Sequence, residues 1–212
     1  MLGIRRYRVV CWLLFSLLGL FGCVQEYYDD GKGGNDKEAA PLQLGSLLIK
    51  EGRTDLRSGT QSLTNCEIGI FRYTSTGYSG TRNNVHYCCN NGTWSIPDAG
   101  VPIYLTKSPA SLCAYYPYSS ADDYADGTVT LTSQLYSESA DLCYQKGITA
   151  SSTSGAVNLT LNHAYAKWVF NFTRDASYTG TCAVSKIKIA HADVVSSNTL
   201  NMLTGQYGIP GT

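Results

Sequence analysis

The stretch VHYCCNNGTWSI, residues 85–96, leaves this chain little freedom in how it folds. Two strand-like runs flank Asn91-Gly92, and that dipeptide supplies the positive φ angles that a two-residue hairpin turn demands. The rest of the sequence repeats the theme in short pieces. LQLGSLLIK alternates loosely at Leu42, Leu44 and Leu48, and CEIGIFRY puts Ile68 and Ile70 on one face. A Gly, Ser and Thr cluster from Thr74 to Thr81 reads as a loop. VPIYLTKSPASLCAYYPYSS gives two further strands, the second closed at Pro117, which has no N–H for an interior ladder. ADDYADGTVTLT turns at Asp126-Gly127 and leads into Val129 and Leu131.

The apolar phase changes within VNLTLNHAYAKWVFNF. Val157, Leu159 and Leu161 share one face, whereas Ala164, Ala166, Trp168, Phe170 and Phe172 fall on the other, so a bulge or bend is expected near Asn162 and His163. VSKIKIAHAD points Ile187 and Ile189 inward and Lys186 and Lys188 outward as a last strand. No segment sustains a 3.6-residue period for more than about three turns. With 16 Tyr and 21 Gly in 212 residues, composition favours strands and turns as well. Many short strands separated by turn signals predict an all-β fold, a sandwich or a barrel.

The N-terminus carries an address. Arg5, Arg6 and Arg8 precede 13 mostly apolar residues, Val9 to Phe21, a run too short for a comfortable membrane span of about 20 residues but of the size of a signal-peptide core. It ends in Leu20-Phe21-Gly22-Cys23, which resembles the bacterial lipobox, whose cysteine is acylated and becomes the mature N-terminus. Cys23 is therefore the expected lipidation site, and diacyl chains on one residue anchor stably where a single chain is marginal. Residues 1–22 read as the lipoprotein signal peptide and 23–41 as a flexible tether, acidic, Gly-rich and nearly free of aliphatic side chains. Its Asp29, Asp30, Asp36 and Glu38 do not fit an EF-hand spacing. Acidic residues just after the lipidated cysteine also resemble the surface-export signals of Bacteroidetes lipoproteins. Without Arg5, Arg6 and Arg8, the 16 basic side chains fall to 13 against 16 acidic ones, a balance that argues against nucleic acid as a partner.

Beyond the signal and Cys23 the chain has Cys66, Cys88, Cys89, Cys113, Cys143 and Cys182, with no Cys-x-x-Cys pair, so spacing suggests neither a metal site nor a cofactor. Disulfides and reduced, buried thiols both remain open readings. Adjacent Cys88 and Cys89 must point to opposite faces of a strand. Of the histidines, His163 lies at the expected bend, while His86 and His191 fall on strand-like runs with no acidic neighbour in sequence to orient them. Asp122, Asp123 and Asp126 suit either a carboxylate pair for glycoside hydrolysis or simply an Asp-rich turn, and the turn is the simpler reading. No catalytic motif is present and no enzyme is expected.

The lipobox, the Gly/Asp tether, a first strand followed by arginines, NNGTW, LCAYYPYS, DLCYQ and LTLNHAYAKWVFNF, in that order, resemble the fimbrillin-like lipoproteins of Bacteroidetes. The resemblance covers roughly Leu42 to Asn201. It implies an all-β sandwich of about seven strands in a transthyretin-like Greek-key arrangement over 42–201, with residues 202–212 the start of a linker or of a second domain. It also implies a structural subunit of a cell-surface fimbrium, held at the outer membrane through the lipid on Cys23. Other fimbrial subunits would be its partners through strand addition. In this family an Arg-specific protease cuts after the first strand, which here corresponds to Leu42 to Ile49 with Arg53 or Arg57 as the cleavage point. A neighbour's strand then fills the groove. The alternative is a surface module binding host glycans or proteins, for which Trp94, Tyr115, Tyr116 and Tyr118 are candidate stacking residues, unless they simply pack the core.

Overall fold

A computed structural model describes residues 39–51, 59–73, 75–97, 100–190 and 195–208. The chain divides into two units, Met1–Lys32 and Gly33–Thr212, and every described residue belongs to the second. Thirteen strands occur among the described residues: β1 (Ala40–Pro41), β2 (Leu44–Lys50), β3 (Thr60–Ser62), β4 (Cys66–Tyr73), β5 (Arg82–Asn90), β6 (Thr93–Ser95), β7 (Tyr104–Leu105), β8 (Ala110–Tyr116), β9 (Thr128–Thr132), β10 (Cys143–Ala150), β11 (Val157–His163), β12 (Ser197–Asn201) and β13 (Gln206–Tyr207). The only helical turns among them are two of 3-10 type, Asp122–Tyr124 and Glu138–Ala140.

The main sheet has eight strands in the order β3-β2-β11-β10-β8-β4-β5-β6. Its ends meet: Trp94 on β6 donates its indole N–H to the Gly45 carbonyl on β2 at 2.7 Å, although six steps of the strand order separate them. The sheet therefore coils on itself, and its two halves face each other across a core that includes Leu47, Ile49, Ile68, Ile70, Leu112 and Leu161. Strand alternation sends Phe71, Cys113 and Tyr115 to the other face, where Val129, Leu131, Leu200 and Met202 of the β13-β12-β9 segment cover them as a second core. The result is the expected all-β, sandwich-like arrangement, built among the described residues from an eight-stranded sheet, a three-stranded one and the two-stranded β1–β7 pair.

The turn between β5 and β6 takes the expected form, with φ of 49° at Asn91 and 78° at Gly92. The predicted bend also lies where the apolar phase changes, since β11 ends at His163 and Ala164-Tyr165 bend away from it. The segment beyond that bend departs from expectation. Residues 166–190 run out and back around a turn in which the Tyr178 N–H donates to the Asp175 carbonyl, yet they join no ladder. Trp168, Phe170, Phe172, Ile187 and Ile189 are exposed instead of facing a core. An alternating pattern specifies a strand only where a facing layer buries one side, and none of the described strands supplies that layer here. Residues 202–208 also differ from a linker, because Met202 is fully buried and β13 pairs with β12.

Burial sets the alkaline limit of this fold. It pushes the Cys113 thiol from 9.0 up to about 12. It likewise pushes the Tyr87 phenol from 10.0 up to about 12, outweighing the Ile103 N–H that this oxygen accepts. In both groups the folded chain keeps a proton that the unfolded chain releases, so their contribution is whole below about pH 9 and is lost as pH rises towards 12. Urea midpoints are expected to hold steady up to about pH 9 and then to fall, with a slope of up to about 1.4 kcal/mol per pH unit for each group. A flat profile to pH 11 would contradict the burial of these two side chains.

Candidate functional site: the first strand and its groove

β2 is the first long strand in the sequence, yet it is an interior strand of the main sheet. On one side it runs parallel to β11, with Leu44 opposite Val157, Leu47 opposite Leu159 and Ile49 opposite Leu161. On the other it pairs with the three residues of β3. The parallel ladder shifts register between Val157 and Leu159, and the Asn158 side chain fills the gap. Its Oδ1 accepts from the Ser46 N–H at 2.9 Å and from the Ser46 hydroxyl at 3.0 Å.

Leu42, Leu47 and Ile49 are buried in the first core. The alternation anticipated at Leu42, Leu44 and Leu48 is thus out of phase beyond Gly45, because the shift places Leu47 and Ile49 inward and leaves Leu48 half-buried. Taking the strand away would uncover Leu159 and Leu161, strip partners from the β11 backbone and orphan the Trp94 indole N–H. All of these are costly in water-poor surroundings.

Beyond Lys50, the Glu51 N–H donates to the Gly59 carbonyl at 3.0 Å and closes the base of the connection to β3. Arg53 and Arg57, the expected cleavage points, belong to that connection and lie outside the described residues, as do Cys23 and His191.

The four aromatic residues considered for sugar stacking do not assemble into one surface. Trp94 and Tyr116 pack against the first core, whereas Tyr115 and Tyr118 belong to the second. Tyr115 is fully enclosed, its hydroxyl donating to Asn84 Oδ1 at 2.6 Å, so no sugar ring can reach it. Tyr118 stacks flat on His86, with centroids 3.7 Å apart and planes 6° from parallel. The Asp-rich segment is a turn: Asp122 opens a 3-10 turn that includes Asp123, and Asp126 Oδ1 accepts from the Thr128 N–H.

The six described cysteines are all thiols. Cys66 lies directly across from Cys89, and Cys88 directly across from Glu67, so the two adjacent cysteines do face opposite ways. Both described histidines have acidic partners after all. Glu67 Oε2 lies 3.1 Å from His86 Nε2, and Asp141 Oδ2 lies 2.8 Å from His163 Nδ1. Each of those nitrogens also meets a thiol, Cys88 at 3.5 Å and Cys143 at 3.4 Å. These carboxylates are 19 and 22 residues from their histidines, a separation that only strand register makes into contact. The local signal was His86-x-Cys88, which share a face of β5, and Asp141-x-Cys143, in which Asp141 is extended backbone just ahead of β10.

An early strand seated in the interior of a sheet that coils on itself marks this as an all-β, sandwich-like protein. The profile of the fimbrillin-like family matches residues 57–212, and the chain belongs to that family. The match begins just after β2. That family is a structural, fimbrial one. No curated protein matches the chain. Among solved structures, one described as a candidate cell adhesion protein from Bacteroides ovatus is similar at 17% identity and a TM-score of 0.41. The similarity covers 59% of this chain and 52% of that one, so this chain spans about half the length of that relative.

Proposed function

We propose that this protein is a structural subunit of a cell-surface fimbrium, exported as a lipoprotein through Cys23 to the outer membrane and assembled by strand exchange. In this reading residues 1–22 are the signal and 23–41 the tether. Cleavage after Arg53 or Arg57 then frees β2, and a strand from a neighbouring subunit takes its place. The observation that carries the proposal is the seat of β2: it contributes Leu47 and Ile49 to the core, with Leu42 just ahead of it, and the β1–β2 segment is covalently tied to the strands that follow only through residues 51–59. A cut in that connection leaves β2 held by contacts alone, and an equivalent strand can satisfy the same groove.

The test is cleavage of the purified full chain by an Arg-specific protease, followed by intact-mass analysis and sizing. A core beginning at Thr54 or Ser58 that forms higher-order species as β2 is lost is the expected result. A resistant core that keeps residues 42–50 covalently attached, and stays monomeric, would overturn the proposal.

A further inference from the structure

The two carboxylate, thiol and imidazole clusters follow one design. In the first, His86 and Cys88 are two apart on β5 and Glu67 on β4 lies directly opposite Cys88. In the second, Asp141 stands in extended backbone two residues ahead of Cys143, the first residue of β10, and His163 on β11 lies directly opposite Cys143. Residues two apart on a strand share a face, and a directly opposed residue on the next strand joins them there. Three side chains thus converge on one point from two strands. Within each cluster the three donor atoms all lie within 4.8 Å of one another.

In both clusters the carboxylate oxygen and the sulfur approach the same ring nitrogen. Glu67 Oε2 and Cys88 Sγ stand 3.1 and 3.5 Å from His86 Nε2, and Asp141 Oδ2 and Cys143 Sγ stand 2.8 and 3.4 Å from His163 Nδ1. One imidazole nitrogen either donates or accepts. If it donates to the carboxylate, the sulfur is at best a weak second acceptor and the thiol proton must go elsewhere, for Cys143 to the Asp141 carbonyl at 3.6 Å; if it accepts from the thiol, its lone pair faces a carboxylate. A shared cation removes the conflict, because nitrogen lone pair, thiolate and carboxylate then all point at positive charge. Tetrahedral ligation at zinc bond lengths of about 2.0–2.3 Å sets neighbouring N, O and S ligands roughly 3.3–3.6 Å apart; the N–S spacings of 3.5 and 3.4 Å already fit, while the N–O contacts of 3.1 and 2.8 Å would open slightly around an ion.

We propose that this chain binds two divalent cations of the zinc class, one at Glu67, His86 and Cys88 and one at Asp141, Cys143 and His163. Sulfur and imidazole ligands select zinc over calcium or magnesium. Three protein ligands leave a fourth position for water, and the Glu67 side chain, 61% exposed, leaves the first site open to solvent. Tyr118, stacked on His86, fixes the ring plane, as supporting contacts around metal ligands do. Each ion would clip two neighbouring strands together, β4 to β5 and β10 to β11.

The test uses the full chain, reduced and stripped with chelator, titrated with Co²⁺ as the spectroscopic probe. Thiolate-to-cobalt charge-transfer absorption is expected to saturate at two equivalents and to be displaced by Zn²⁺. His86→Gln and His163→Gln should each remove half of it and the double variant all of it, while Cys182→Ser leaves it unchanged. Glu67→Gln, at an exposed position, should keep the thiolate band of the first site but weaken cobalt binding there more than about tenfold. Metal-free unfolding curves of each variant, matched to the metal-free parent, separate loss of a ligand from loss of fold. Absence of a thiolate band, or a band that survives the double histidine variant, would overturn both sites. One equivalent abolished by a single histidine variant would overturn the other site.

Discussion

A chain starting at Gly52, without β1 and β2, is expected to be unfolded or aggregated on its own and to regain the fold when the peptide LQLGSLLIK, residues 42–50, is added in trans. Leu42, Leu47 and Ile49 are 6%, 1% and 6% exposed. Burying an aliphatic side chain of this size contributes about 1.5–3 kcal/mol, so the three together approach the 5–15 kcal/mol that holds a whole domain folded. Lost ladder bonds to β11 and the lost Trp94 bond to Gly45 add about 1 kcal/mol each. Circular dichroism and a urea titration, with and without peptide, read the outcome. Cooperative unfolding of the truncated chain at the parent midpoint would mean that β2 does not close the core. Strand exchange would then lose its energetic basis.

The second large effect concerns a residue with no side chain. Gly69 on β4 lies directly opposite Tyr115 on β8, whose ring lies over the glycine. A methyl group at Gly69 would collide with the Tyr115 ring and come within 2.7 Å of Asn84 Oδ1. The ring cannot simply step aside: its hydroxyl donates to Asn84 Oδ1 at 2.6 Å and accepts from the Ser119 N–H at 3.2 Å, while Asn84 Nδ2 donates to the Ser119 carbonyl at 2.8 Å. Asn84 itself has a φ of 48°, at the irregular part of the β4–β5 ladder. Gly69→Ala therefore combines overpacking with a broken buried network, and a loss of about 3 kcal/mol or more is expected in urea unfolding at unchanged slope. In Gly69→Ala/Tyr115→Leu the cost should be well below the sum of the single changes, because the shorter side chain removes the collision.

What could be read from the sequence was what neighbouring residues decide. Asn91-Gly92 announced its hairpin because the turn geometry is local. The bend after His163 was legible because period-2 alternation admits only one way of changing face. The groove strand was recognised, but its inward residues were not, since the shift opposite Asn158 depends on pairing with a segment more than a hundred residues away. Glu67 beside His86 and Asp141 beside His163 were hidden for the same reason. Residues 166–190 show the converse failure: Trp168, Phe170 and Phe172 carry a strand pattern, and a pattern cannot supply the layer that would bury it.

β2 and β11 point the same way, and that gives the seat an arrow. Turned end for end, an incoming segment would present its amides and carbonyls out of step with those of β11, and the Asn158 amide would no longer find the backbone N–H it receives from Ser46. A strand that replaces β2 thus inherits a fixed heading. Copies joined through this seat would all face one way, and a thread of them would have two unlike ends, so growth and capping would belong to different tips.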